Sequence, residues 1–153
     1  GTSPAYSFST AIAEVTVDLE TGYVTVDRFT DFSDAGTVIN PVTFHGQVEG
    51  SIVMGLGETL LEDTLVGASG QFTNPNLHDY LIPTVGDVPR VHSILVEDPE
   101  PLGPSGAKGV GEPGLIPTAP AILGAIEHAT GVRMRKVPVL PHRLLVELKN
   151  ARS

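Results

Sequence analysis

Between residues 11 and 19 the side chains alternate with a period of two. Ala11, Ala13, Val15, Val17 and Leu19 share one parity, and Ile12, Glu14, Thr16 and Asp18 take the other. Successive side chains of a strand point to opposite faces, so this pattern predicts a half-buried strand. Glu20-Thr21-Gly22 supplies a short turn, with glycine where a positive φ is needed. Residues 23–29 read as the returning strand, and the two together as a hairpin from about residue 6 to residue 34. Tyr6 and Phe8 sit on the opposite parity from Ala11, which predicts a bulge near Ser9-Thr10.

After residue 40 the period changes. Phe44, Val48, Ile52 and Leu56 recur at a spacing of four, which predicts a helix over residues 41–62. Asn40 is its N-cap, and Pro41 takes the first helical position. Gly46, Gly50 and Gly57 lie inside it, each costing about 1 kcal/mol against alanine. Such weak helix formers make sense where a helix packs tightly on backbone or on a flat ligand. Residues 66–90 are irregular, with a short element expected over 79–83. Residues 91–97 alternate again and read as a strand. Residues 98–114 form a long loop, of the kind that is usually functional or mobile. Residues 117–129 read as a helix with Ile122, Leu123 and Ile126 inward and Gly131 as its stop. A short strand over 137–140 and a last helix over 141–149 complete an α+β reading, one domain over residues 1–153.

Composition narrows the classes. An apolar fraction of 41% over 153 residues is enough for a core. A net charge of −9 argues against nucleic acid, which requires clustered lysine and arginine. The basic residues gather late, at Arg133, Arg135, Lys136, Arg143, Lys149 and Arg152. Such a patch faces an anionic ligand, acidic neighbours or a partner surface. With no cysteine, the chain holds no disulfide, thiolate zinc site or cysteine-ligated Fe–S cluster of its own. No apolar run is long enough to span a membrane, and no signal peptide is apparent. The first residue is Gly1 and the methionines are Met54 and Met134, so residue 1 is not expected to be a translation start. A processed subunit, a proteolytic piece or a truncated chain is expected.

The candidate chemistry lies in Gly106-Ala107-Lys108-Gly109-Val110-Gly111-Glu112-Pro113-Gly114. Four glycines in nine residues let backbone approach another molecule closely, and proline stiffens the end. One carboxylate is held among them. The segment suits a cofactor-lining loop with a catalytic base. It equally suits a plain turn whose acid sits on the surface or caps the helix that follows. Gln47 and Glu49 stand among the helical glycines; at a spacing of two they occupy different faces. Gln47 suits cofactor contact or helix packing, and Glu49 a structural hydrogen bond or ion pair. His45, His78, His92, His128 and His142 show no metal-ligand spacing, so exposed or internally satisfied roles are expected. Tyr80 is expected in core packing, with a place near a substrate funnel as its alternative.

Several segments, in order, carry a resemblance. They are Ala13-Glu14-Val15-Thr16-Val17-Asp18-Leu19-Glu20-Thr21-Gly22, Asp34-Ala35-Gly36 with Ile39-Asn40-Pro41, and Gln47-Val48-Glu49-Gly50 leading into Gly55-Leu56-Gly57. Asp79-Tyr80 with Ile82-Pro83, Asp87-Val88-Pro89, and the loop ending in Gly111-Glu112 follow. Over nearly its whole length the chain resembles the C-terminal part of the molybdenum-binding subunit of the xanthine dehydrogenase, aldehyde oxidase and aerobic carbon monoxide dehydrogenase family. The Gly-rich loop and the Asp-Tyr-Leu-Ile-Pro segment look closer to the bacterial carbon monoxide and aldehyde branch.

The resemblance implies a hydroxylase that oxidises a carbon centre, such as an aldehyde, an N-heterocycle or carbon monoxide, with oxygen from water. It implies a pterin cofactor whose dithiolene holds molybdenum. Glu112 corresponds to the family's base, and Gln47 and Gly111 to its cofactor contacts, with Val110 and Lys108 carried over as loop neighbours. General-base help of this kind is typically worth about 10²–10⁴-fold. Glutamine offers a donor and an acceptor without charge, and the cofactor itself carries the hard chemistry.

The family subunit is several times longer. The implied partners are therefore the rest of the molybdenum subunit, an iron–sulfur subunit or domain with its Fe–S clusters, and a flavin subunit or domain with FAD. The expected setting is a cytoplasmic hetero-oligomer acting on a small-molecule substrate, with no nucleic acid and no membrane span. The rival reading is a non-catalytic structural or assembly subunit of the same fold.

Overall fold

The computed structural model describes residues 5–152; Gly1 and the start expectation attached to it lie outside them, as does the side chain of Arg152. The hairpin forms as β1 (Ser9–Val17) and β2 (Val24–Asp34), paired antiparallel. Gly22 turns the chain between them at φ +74, where a Cβ would collide with the Pro141 carbonyl and the Leu145 side chain. On β1 the odd residues are half-buried and the even ones exposed, as the alternation requires.

The bulge is displaced from its expected position. Tyr6 and Phe8 continue the outward parity of Ile12, at 67% and 68% exposure, so no slip occurs at Ser9-Thr10. The register instead shifts between Glu14, opposite Arg28, and Val15, opposite Val26, which leaves Asp27 as the extra residue on β2. The reason lies in β2, where the buried positions step from Val24 and Val26 to Phe29, Asp31 and Ser33. That change of parity can keep both groups inward only through a bulge.

β3 (Arg90–Val96) pairs with β2 in parallel, which gives the order β1-β2-β3. A parallel neighbour needs a long crossover, and residues 35–89 provide it. Their main element is α1 (Pro41–Leu60), capped by Asn40, whose side-chain oxygen accepts from the Val42 and Thr43 amides at 3.0 and 3.3 Å. Phe44, Val48, Ile52 and Leu56 form its buried stripe. α2 (Thr118–Thr130) lies against β1 and α1, and ends on Gly131 at φ +73. The alanines on the inner face of β1 leave room for it. Ile122 and Ile126 enter the core fully buried, while Leu123 stays at its margin. α3 (Pro141–Arg152) adds Leu144 and Leu148. One face of the sheet is thus covered by helices, an α+β arrangement as expected.

Two minor expectations are corrected. Residues 79–83 form no regular element; a turn closes on the Asn76 carbonyl, and the one 3-10 turn of this stretch is Val85–Asp87. The Asp87 carboxylate fixes it by accepting from the Thr84 amide at 2.8 Å and the Thr84 hydroxyl at 2.7 Å. Residues 137–140 form no strand, since Pro138 has no N–H to give a ladder. The Val139 amide instead donates to Thr59 at the end of α1, at 2.7 Å. Among the described residues no helix is long and apolar enough to cross a membrane.

Candidate cofactor-contact site

The loop over residues 98–114 lies across the N-terminal half of α1 and the ends of β2 and β3. Its near end is tied to the turn after β2. The Thr37 amide donates to the Gly106 carbonyl at 2.9 Å, and the Lys108 amide to the Ala35 carbonyl at 2.8 Å. Gly36, at φ +63, faces the Gly106 carbonyl so closely that no Cβ fits between them. Its far end is packed on α1. A Cβ on Gly114 would meet Ser51 Cβ at 3.3 Å and Val48 Cγ1 at 3.4 Å. Thr118, fully buried, donates its hydroxyl to the Gly114 carbonyl at 2.8 Å and fixes the entry to α2.

Between these ends stand Gly109, Val110, Gly111 and Glu112. The structure joins two residues singled out from the sequence 64 positions apart, since Gln47 Nε2 donates to the Gly111 carbonyl at 2.7 Å. Gln47 stays exposed, and its own carbonyl accepts from the Ser51 hydroxyl at 2.8 Å within the helix. Glu112 is exposed, and its carboxylate has no partner among the described residues. Its backbone carbonyl starts a turn by accepting from the Leu115 amide at 2.9 Å. α2 begins only at Thr118 after Pro117, so Glu112 is not the cap of that helix. Val110 is half-buried against the core and holds the loop down.

Lys108 has a different setting. Its side chain is only 4% exposed, and Nζ lies 2.6 Å from Asp34 Oδ2 and 3.3 Å from Asp98 Oδ2. The Asp34 hydrogen bond, opposed by burial and aided by Asp98, holds the ammonium above the usual lysine range. Neither Asp34 nor Asp98 was singled out by its residue type. Asp34 belongs to one of the matching segments, but a pairing 74 positions apart leaves no local pattern. Ser7, whose hydroxyl donates to the Gly109 carbonyl, was likewise invisible.

The remaining candidates separate from this site. Glu49 is exposed, and among the described residues it has neither the hydrogen bond nor the ion pair expected of it. Tyr80 is half-buried rather than in the core. Its hydroxyl donates to Glu62 Oε2 at 2.6 Å, and that bond raises its pKa. His45 meets Ser93 Oγ at 3.0 Å through Nδ1, and His78, His92, His128 and His142 are exposed. Part of the late basic patch is balanced by acids, with Arg143 at 2.7 Å from Asp63 and Arg133 at 3.7 Å from Glu127.

What the surface can hold follows from its free groups. The amides of Gly109, Val110, Gly111 and Glu112 donate to nothing among the described residues. A Cβ added at Gly109 or Gly111, or at Gly46 and Gly50 flanking Gln47, would meet nothing within 4 Å. The result is an open, side-chain-poor surface with donors, one amide side chain and one carboxylate. It fits a flat ligand rich in hydrogen-bonding edges, as a pterin is. Beside it, Ala107, Lys108 and Val110 face Asn40, Thr43 and Phe44 across a cleft of about 240 Å³. Larger clefts, such as that of about 370 Å³ beside Phe72 and Tyr80, do not touch the loop. Among the described residues no group of three or more His, Asp and Glu is placed to hold a metal ion.

The profile of the molybdopterin cofactor-binding domain matches residues 1–89. A putative xanthine dehydrogenase molybdenum-binding subunit of Escherichia coli is 41% identical over 142 residues, covering 92% of this chain and 19% of the relative. Among solved structures, the aldehyde oxidoreductase of Desulfovibrio gigas superposes with a TM-score of 0.86 at 36% identity, over 94% of this chain and 15% of that one. The quinoline 2-oxidoreductase of Pseudomonas putida 86 gives 0.83 at 36% identity, over 88% and 18%. The chain thus spans about a fifth of the length of the curated relatives it matches. The chain belongs to the molybdopterin cofactor-binding domain family.

Proposed function

We propose that this chain is the C-terminal, cofactor-contacting part of a molybdenum hydroxylase, and that it supplies Glu112 as general base. The hydrogen bond from Gln47 to the Gly111 carbonyl carries the reading, because it sets the amide and the base loop on one open surface. When bound, the molybdenum–pterin group would supply the oxidising centre and an acidified, water-derived oxygen. Gln47 would hold it through the carbonyl oxygen of its side chain while its Nε2 keeps the loop in place. The free amides of Gly109, Val110 and Gly111 would meet its acceptor edges. Glu112 would take a proton at its carboxylate as the new carbon–oxygen bond forms. That carboxylate has no competing partner among the described residues.

The substrate is a small molecule with an oxidisable carbon centre: an aldehyde, an N-heterocycle or carbon monoxide. Its choice belongs to the rest of the molybdenum subunit, and the electrons to iron–sulfur and flavin partners. A cytoplasmic hetero-oligomer is part of the same proposal.

Glu112→Gln in the assembled enzyme tests it. The amide keeps shape but takes no proton, so kcat should fall by about 10²–10⁴-fold while molybdenum and pterin remain bound. Undiminished turnover in that variant would remove Glu112 from the mechanism.

A further inference from the structure

We propose that Lys108 is a positioning residue: its ammonium anchors the loop that presents Gly111 and Glu112, and it does so from the protein side rather than by touching the cofactor. The proposal rests on the reading of Glu112 as the base. The ammonium joins three pieces of chain. Asp34 ends β2 and is 8% exposed; its Oδ2 receives Lys108 at 2.6 Å. Its other oxygen accepts from the Gly36 amide at 2.8 Å and shapes the turn against which Gly106 lies. Asp98 follows the end of β3 by two residues and approaches the same nitrogen at 3.3 Å. Since Asp34 pairs with Val96 across the parallel ladder, one lysine gathers the ends of two adjacent strands onto the loop.

Past Lys108 the contacts are neutral. The Ser7 hydroxyl donates to the Gly109 carbonyl, Val110 packs on the core, Gln47 Nε2 donates to the Gly111 carbonyl, and Gly114 lies against Val48 and Ser51. Gly109, Gly111 and Glu112 are nonetheless exposed, and Lys108 is the charged anchor at the root of this stretch. Two of its three donors are spent on Asp34 and Asp98. The Asp34 hydrogen bond favours the charged ammonium. A catalytic group displaced by about 1 Å can lose about 10²-fold in rate, so a loop root of this kind governs turnover without touching the reacting atoms.

The test uses the assembled enzyme carrying Lys108→Met together with Asp34→Asn. Removing lysine alone would leave a buried carboxylate uncompensated. The asparagine keeps a carbonyl for the Gly36 amide. Amide exchange at residues 109–112 should quicken by at least about tenfold. kcat should fall by about 10²-fold, with KM and the molybdenum and pterin content unchanged. Lys108→Arg, which retains the charge, should recover most of both. Unchanged exchange and kcat would overturn the proposal. So would loss of cofactor with exchange unchanged, which would mark Lys108 as a ligand contact. If the double variant fails to assemble, Asp98→Asn, on a side chain 79% exposed, must still quicken exchange in the same four amides, and no change there overturns the proposal. The exchange result does not depend on what Glu112 does. A Glu112→Gln enzyme that kept its turnover would end the base reading and leave the anchoring measurement standing.

Discussion

The two halves of α1 are built from similar material and do opposite things. The N-terminal half carries Gly46 and Gly50, where a Cβ would meet no described atom beyond its own stretch of helix within 4 Å. The C-terminal half carries Gly55 and Gly57. A Cβ on Gly55 would fall 2.6 Å from Thr118 Cβ, and one on Gly57 2.8 Å from Pro83 Cδ. Glycine in the second half permits close packing with α2 and with the chain before β3. In the first half it leaves the helix bare beside Gln47. A helix pays about 1 kcal/mol for each glycine; here one pair is offset by packing and the other by nothing among the described residues. On the proposed reading, the glycines that pack on nothing mark the cofactor-facing half of this helix.

Truncations should separate the halves most widely. Leu56→Ala removes a side chain only 3% exposed from the packed half, and should cost about 2–5 kcal/mol in urea unfolding. Gln47→Ala, on the open half, should stay within about 0.5 kcal/mol. Equal losses would mean that the open half is part of the structural core. Gly55→Ala tests the close approach itself. Its methyl must displace Thr118, whose hydroxyl is committed to the Gly114 carbonyl, so a loss of about 1–3 kcal/mol is expected. A neutral result would show that α2 can yield. Gly50→Ala is the mirror experiment. With no clash and a better helix former, the chain should gain up to about 1 kcal/mol, and a loss would show that the surface is already occupied.

The fold was legible where a short-range period governed it. Asn40-Pro41 and the spacing of Phe44, Val48, Ile52 and Leu56 located α1 to within two residues at its end. The alternation from Ala11 located β1. The bulge does not lie where the parity of Tyr6 and Phe8 predicts it, because both aromatic rings face solvent and nothing in their residue type says so. The true signal was the three-residue step from Val26 to Phe29. At the site, Gln47 and Glu112 were reached through resemblance, and local chemistry alone left the loop open between two readings. Their junction through the Gly111 carbonyl, and the Lys108 contact with Asp34, span 64 and 74 residues. Neither has a periodic trace, so neither could be read from one sequence.

The smallest effect concerns acid and the packed half. Pro83 touches the Gly57 position of α1 just before the turn that Asp87 fixes. Hydrogen bonds from the Thr84 amide, then the Thr84 hydroxyl, hold the Asp87 carboxyl below its usual range. A lowered folded pKa gives stability that is fully present above the unfolded value of about 3.9 and is lost as pH falls through the folded value. Between neutrality and about pH 4 this turn should therefore be indifferent to pH, and below that it should loosen and release Pro83 from α1. Asp87→Asn should remove that part of the acid response and leave the rest. The Thr84 amide shift, followed by NMR through the titration, reads it directly. If that shift moves at neutral pH, or moves in the Asp87→Asn variant as it does in the parent, the turn does not hold the packed half of the helix in this way.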